Sequence, residues 1–489
     1  MVKAAGFLLA VIIGGLTVVT VGNTLFSGES ASKGAVPAVE IPGWTIDSEQ
    51  AEKSLRLFLQ IPTISPEDIS QRNRPAFEQA LAFLRANFPL VHEQLETEIV
   101  SELSLVIRWP GANSDLKPVL MMAHYDVVPV EGQEWSKDPF AGEVDGDFIY
   151  GRGAVDDKSS VMALLEATEL GLKNGFKPQR DLYFVFGHDE EVGGTQGAQV
   201  VAQTFKDRGL EFEFILDEGG IITEGSKLGI PRNVALIGIA EKGYSDLELA
   251  ITGTPGHSSM PPSSTTIGRL AQAIRKVESH PFPASVDGVF SQTLEALIPH
   301  ASLFQKWALS NLWLTAPLVE SKLAKNSTTN AFIRTAQSVT MIKGGTKANV
   351  LPAEAKANVN LRLLPGDRAE WAKQRISTLL TELPEVEVRQ ANPEFVNEAS
   401  AVSSTESMGY SLISAAISKL DSSVVPIPYL VLGATDSRHY RELSPNTYRF
   451  LFASLFAEEV SRLHGIDERI RRKDYQRAIQ FYATLIHNL

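Results

Sequence analysis

The chain contains no cysteine. That absence removes disulfides and thiolate ligands together, so any metal ion must be held by imidazole and carboxylate. A long basic stripe is also missing. Lys and Arg number 45 against 58 Asp and Glu, the two signs are interspersed, and the formal charge is −13. No track is left for neutralising phosphates, which argues against a nucleic-acid partner and for a small-molecule one. Internal repeats and coiled-coil heptads are absent too. What remains is a globular composition: 489 residues, 44% hydrophobic and 21% charged, enough for one large core and a second, smaller one.

Residues 4–26 are almost wholly apolar, follow Lys3, and suffice to cross a bilayer as a helix of roughly 20 residues. The expectation is a membrane anchor over residues 1–27, with the catalytic body on the extracytoplasmic side. Cleavage as a signal peptide is the rival and would give a secreted or periplasmic protein, but residues 19–27 make a poor cleavage site. Residues 28–43, rich in Ser, Gly, Ala and Pro, read as a linker that holds the body away from the membrane. The body then starts near Trp44.

Short β-rich runs alternate with amphipathic stretches, which predicts an α/β fold: a catalytic domain with a largely parallel sheet and helices on both faces. Four runs, 119–123, 182–186, 212–216 and 429–432, are mostly apolar, as strands buried on both faces should be. Each is followed at once by a polar cluster: His124 and Asp126, Glu190 and Glu191, Asp217 and Glu218, and 436–439. Ligands bind at the carboxyl ends of strands in such sheets, so these groups are expected at one edge. Between 246 and 365 the texture becomes alternating, as in an antiparallel sheet with one wet face, and 267–277 reads as an amphipathic helix. That predicts a smaller α+β domain inserted between catalytic segments 44–245 and 366–489. The Trp-, Leu- and Phe-rich stretch 279–330 reads as a helical excursion of the insert.

Strand alternation puts His124 and Asp126 on one side, so the aspartate can hold one imidazole nitrogen while the other meets a metal; a strand-capping pair is the alternative. In Gly151-Arg152-Gly153-Ala154-Val155-Asp156-Asp157-Lys158 a glycine-bearing loop enters a helix, and the two aspartates fit either ordinary N-capping or a bridging ligand. Glu190-Glu191 is a repelling pair unless a cation compensates it, or unless the loop is simply solvated. Asp217 and His439 are weak signals singly. The five groups His124, Asp156, Glu191, Asp217 and His439 gain force together.

His124-x-Asp126, the 151–158 loop, Glu190-Glu191, Asp217-Glu218-Gly219-Gly220, Gly253-Thr254-x-Gly256-His257-Ser258, Asn349-Val350-x-Pro352 and Thr435-Asp436-x-Arg438-His439 together resemble the aminoacylase, acetylornithine deacetylase and glutamate carboxypeptidase family. The ordered match runs from about residue 55 to the C-terminus. His464-Gly465-x-Asp467-Glu468-Arg469 resembles the carboxypeptidase S branch, which also holds hydrolases of long-chain N-acyl amino acids. The resemblance implies two zinc ions, one on His124 and Asp217, one on Glu191 and His439, with Asp156 bridging; cobalt or manganese would use the same atoms. Four positive charges against three carboxylates and a bridging hydroxide leave such a centre neutral. It also implies Glu190 as general base, Asp126 as the residue orienting His124, His257 as an oxyanion donor reaching across a homodimer formed by the lid domain, and Asn349 and Arg362 as substrate-binding residues. Two departures are Ser159-Ser160 where glycine is usual and Asp467 where asparagine is usual. The activity implied is cleavage of an amide bond next to a free carboxylate: first a carboxypeptidase acting on short peptides, second an N-acyl, including fatty-acyl, amino acid amidohydrolase. A catalytically silent scaffold is the third reading, and the presence of every ligand and of Glu190 speaks against it.

Overall fold

The computed structural model describes residues 17, 19–25, 38–456 and 458–489. Most of the apolar 4–26 segment lies outside the described residues. Among those described, no helix is long and apolar enough to cross a membrane.

A nine-stranded sheet forms the body: β1 (Glu96–Val100), β2 (Ser104–Trp109), β3 (Val119–His124), β4 (Leu182–Gly187), β5 (Ile215–Asp217), β6 (Ile222–Glu224), β7 (Asn233–Glu241), β8 (Val424–Val431) and β9 (Thr447–Arg449). Their order is β1-β2-β4-β3-β5-β9-β7-β8, with β6 paired to β7. The centre, β4-β3-β5-β9, is parallel, and β1, β2 and β6 are antiparallel additions. Alternation along β3 shows why both faces are covered. Val119, Met121 and Ala123 join the main core with helices Lys158–Lys173 and Arg472–His487, while Leu120 and Met122 join a second cluster under helix Ala198–Asp207. Register places His124 beside Gly187 and Met121 beside Leu216, so the polar groups after β3, β4 and β5 emerge at one edge. Run 212–216 yields a strand only at Ile215–Asp217.

The smaller layer is a four-stranded antiparallel sheet in the order Ala336–Gly344, Glu354–Leu363, Gly243–Thr252, Val386–Gln390. Ala355, Ala357, Val359, Leu361 and Leu363 alternate inward against helices Thr266–Ser279 and Ala369–Leu379. The last helix and strand fall beyond the expected boundary at 365: the chain completes this layer before returning to the body. The excursion goes the other way. Val289, Phe290, Leu294 and Phe332 join the main core, and Thr293 Oγ1 donates to Pro428 O at 2.8 Å, so these helices pack on the body and not within the insert.

Candidate metal centre

His124 is the last residue of β3 and is buried. Its Nδ1 lies 3.1 Å from Asp126 O and 3.3 Å from Asp126 Oδ1, and its Nε2 lies 3.0 Å from Asp156 Oδ1. Asp126 does more than hold the imidazole. Its two carboxylate oxygens accept the backbone N–H groups of Glu190 and Glu191, each at 3.2 Å, so one buried side chain ties the histidine to the glutamate turn.

Asp156 faces two histidines. Its Oδ2 lies 3.1 Å from His464 Nε2, and that nitrogen is 3.2 Å from Glu191 Oε2. Asp157 is the N-cap residue of helix Lys158–Lys173 but makes no side-chain cap hydrogen bond, so ordinary N-capping does not account for the aspartate pair. Two groups able to hold a cation result, His124, Asp156 and Glu218, and Asp156, Glu191 and His464, with the ligand atoms of each group within 4.8 Å of one another. They share Asp156.

Two expected ligands, His439 and Asp217, fall outside both groups. His439, assigned with Glu191, is in neither group; its Nε2 lies 3.0 Å from Gly193 O, because the 3-10 turn Asp436–Tyr440 directs Tyr440 into the core and aims Ser437 at Asp217. His464 stands in its place. Asp217 lies at the edge as expected, but its oxygens accept from the backbone N–H of Glu218 (3.0 Å) and Ser437 (2.9 Å), and Glu218 completes the group with His124. The signal for His464 was in the sequence, in the phrase His464-x-x-x-Glu468. Buried Glu468 accepts from the backbone N–H of Gly153 (3.1 Å), Val155 (2.8 Å) and Asp156 (3.1 Å) and from Arg152 Nη1 (2.7 Å). One turn therefore carries both the histidine and the carboxylate that shapes the Asp156 loop. His464 and Asp467 have φ of 57° and 55°, a region that Asn and Asp enter most readily among residues with a side chain, which explains why aspartate substitutes for asparagine at 467.

The electrostatics are those of a site short of positive charge. Burial pushes the Glu190 carboxyl well above its usual range, and Asp436, Glu191 and Asp156 add to this against His124. Burial, then Asp156, pushes Glu191 to about 7, and Asp156 and Glu191 push His464 up to about 10. Burial works against ionisation of Asp156 as well, but His124 and His464 hold it below the carboxylate range. Glu191 Oε1 is buried without a hydrogen-bond partner. An orphaned carboxylate oxygen amid like charges is what a bound cation would satisfy.

Behind Asp217, Ser437 Oγ accepts from Arg449 Nε at 3.1 Å, and Arg449 Nη2 pairs with Glu241 Oε2 at 3.0 Å, both partners buried. Glu241 Oε1 also accepts the N–H of Thr435 at 2.8 Å, which fixes the 435–440 turn. A cleft of about 250 Å³ opens beside Glu218, walled by Tyr429, Val431 and Leu432, and Tyr429 meets Phe332 of the excursion edge-on at 5.2 Å.

His257, Asn349 and Arg362 lie on the smaller layer. His257 is exposed on a two-residue strand opposite Val350, its Nδ1 accepting from Ser259 N at 3.1 Å, and Asn349 O accepts from Ser258 N at 3.2 Å. Arg362 stacks 4.8 Å over the Tyr244 ring. The structure thus brings His257 and Asn349 to each other; among the described residues no hydrogen bond or ion pair joins any of the three to the carboxylate cluster.

A model of peptidase family M20/M25/M40 matches residues 120–488. The chain belongs to that family. It is a metal-dependent hydrolase. It is similar to the probable carboxypeptidase S-like 2 of Dictyostelium discoideum, 39% identical over 417 residues that cover 85% of this chain and 80% of the relative. It is also similar to the N-fatty-acyl-amino acid synthase/hydrolase PM20D1.1 of Danio rerio, 37% identical over 455 residues, 91% of this chain and 87% of the relative. The M20 family metallo-carboxypeptidase Sso-CP2 of Sulfolobus solfataricus has the same fold, with a TM-score of 0.63 at 18% identity over 91% of this chain and 99% of that one.

Proposed function

We propose that this M20-family chain is a two-zinc hydrolase that releases the C-terminal residue of short peptides. Its ligands in this reading are His124 with the Asp217–Glu218 turn on one side, Glu191 and His464 on the other, and Asp156 between them. The observation that carries it is the sharing of Asp156 by two groups beside an orphaned Glu191 oxygen. Imidazole and carboxylate without thiolate suit zinc, and cobalt or manganese would substitute.

Ions held by these residues would supply a Lewis acid and an acidified water. Glu190, beside the ligands and in neither group, takes the proton of the water that attacks the amide carbon and returns it to the leaving nitrogen as the C–N bond breaks. Asp126 fixes the tautomer of His124 and the register of the glutamate turn. His464 is half-exposed, so that side of the site faces entering substrate.

Asn349 and Arg362 are proposed to hold the substrate carboxylate, and His257 the oxyanion of a partner subunit's site. The edge position of strand Ala336–Gly344, where Met341 and Ile342 are exposed, supports the proposal that two chains pair there. We further propose residues 1–27 as an anchor, residues 28–43 as the link to the body, and an extracytoplasmic site. A second substrate reading, N-acyl amino acids with long acyl chains, is favoured by the apolar Tyr429, Val431 and Leu432 wall and by the similarity to the N-fatty-acyl-amino acid synthase/hydrolase of Danio rerio.

The test is a paired panel, blocked dipeptides against N-acyl amino acids of rising chain length, with zinc-loaded protein beside Glu190→Gln. Best turnover of peptides, abolished in the variant, supports the carboxypeptidase reading; a preference that grows with acyl length moves it to the amidohydrolase. Metal-independent turnover, or full activity in Glu190→Gln, refutes the mechanism.

A further inference from the structure

Helix Leu312–Leu323 turns Leu312, Thr315, Ala316, Val319 and Leu323 toward the body, yet its outer face carries Trp313, Leu314 and Leu318, of which Trp313 is 59% and Leu318 63% exposed. Leu303, opening the preceding helix Leu303–Leu309, is 81% exposed, and its neighbour Phe304 is exposed as well. Up to Glu320 the helix is apolar or uncharged on both faces, an arrangement that is stable where both are covered, and here only one is.

The helical residues 19–25 beside it are built inside out. Thr20 and Thr24 are buried, at 6% and 7% exposure, while Val19, Val21 and Leu25 point outward. Their polar side meets Asn311, the buried residue between the two excursion helices: Asn23 Nδ2 donates to Asn311 Oδ1 at 3.1 Å, and Asn311 Nδ2 donates to Thr20 O at 3.1 Å. A surface helix in water does the reverse. Amide and hydroxyl contacts inward with valine and leucine outward are the packing of helices surrounded by lipid. The run that precedes these residues, 4–16, is apolar in sequence.

We propose that the outer faces of residues 19–25, Leu303–Leu309 and Leu312–Leu323 form one surface seated in the interfacial layer of a lipid bilayer. The catalytic body is thereby pinned against the membrane and not held off it by the 28–43 linker. Trp313 and Phe304 are residues that favour this depth, and Lys306, Lys322 and Lys325 reach headgroups from the same helices and the turn after them. The surface is also tied to the proposed catalytic cleft, because the excursion ends at Phe332 against Tyr429. This deepens the proposed anchoring, which by itself permits a freely swinging body.

Because the chain has no cysteine, a single reporter thiol is clean. The full chain carrying Leu318→Cys, labelled with a polarity-sensitive fluorophore, is reconstituted with phosphatidylcholine vesicles and compared with Asp115→Cys on an exposed loop of the body. Flotation of both variants reports anchoring separately. The expected result is that the probe at 318 shifts to the blue in vesicles and loses intensity when brominated acyl chains replace ordinary ones, while the probe at 115 does neither. Flotation with a water-like probe at 318 overturns the docking while leaving the anchor; a blue shift without bromine quenching assigns the surface to a protein partner and overturns it too. Failure of the full chain to float refutes both.

Discussion

Glu468 is the side chain outside the proposed ligand set whose removal should do most damage. Its buried carboxylate receives three backbone N–H groups of residues 153–156 and the guanidinium of Arg152, which is itself buried. In Glu468→Ala the Arg152 charge loses its counter-ion, and breaking one side of a buried pair costs about 3–5 kcal/mol. Two contacts soften this: Arg152 Nη2 donates to Gln133 Oε1 at 2.9 Å and to His464 O at 3.2 Å, and its guanidinium stacks 5.0 Å over Trp135. The lower end, about 3 kcal/mol, is therefore expected for alanine. Glutamine keeps the shape and one acceptor oxygen but presents an amide to donors; about 1–3 kcal/mol is expected from the unsatisfied groups. Because Asp156 N is among the donors, metal should be bound more weakly in both variants. Guanidinium unfolding curves read with and without zinc, together with metal content after dialysis, measure the two effects. Wild-type stability and metal retention in Glu468→Ala would refute the claim that this turn shapes the Asp156 loop.

Glu166, on helix Lys158–Lys173, gives a pH signature distant from the ligands. Burial pushes its carboxyl to about 7, with Lys173 opposing and Glu169 and Asp47 adding. The folded chain therefore keeps a proton that the unfolded chain loses, so stability falls as pH rises from about 4.5 to about 7, and Glu166→Gln should gain up to about 2 kcal/mol at pH 8 and nothing at pH 4, allowing for partial solvent screening. Equal gains at both pH values in thermal melts would contradict it. Arg449→Met strands buried Glu241 and should cost about 3–5 kcal/mol, whereas adding Glu241→Leu should recover part of that loss. A double-mutant cycle with purely additive effects would remove the pair from the account.

The strand ends carried most of the legible information. Val119–His124 and Leu182–Gly187 are buried on both faces, so an uninterrupted apolar run closed by a polar group reads correctly as a central strand with a functional end. The 279–330 stretch was legible as helical but not in its packing: Phe290 and Phe332 find the main core through Tyr429 and β8, a contact between distant parts of the chain that periodicity does not encode. The boundary at 365 was misplaced for a related reason, since strand Val386–Gln390 pairs with Gly243–Thr252 across the whole insert. His439 and His464 present the sharpest case. Both follow structured segments and both stand in motif-like phrases. What separates them is three-dimensional: the turn at 436–440 spends its polar groups on Asp217 and Gly193, while the left-handed turn at 464–467 faces Asp156.

That difference is also the most direct test of the central claim. Metal content per chain, measured by elemental analysis after exhaustive dialysis for wild type, His464→Ala and His439→Ala, should read two, one and two, with activity lost only in His464→Ala among the variants. Retention of both ions by His464→Ala together with loss of one from His439→Ala would contradict the site described here.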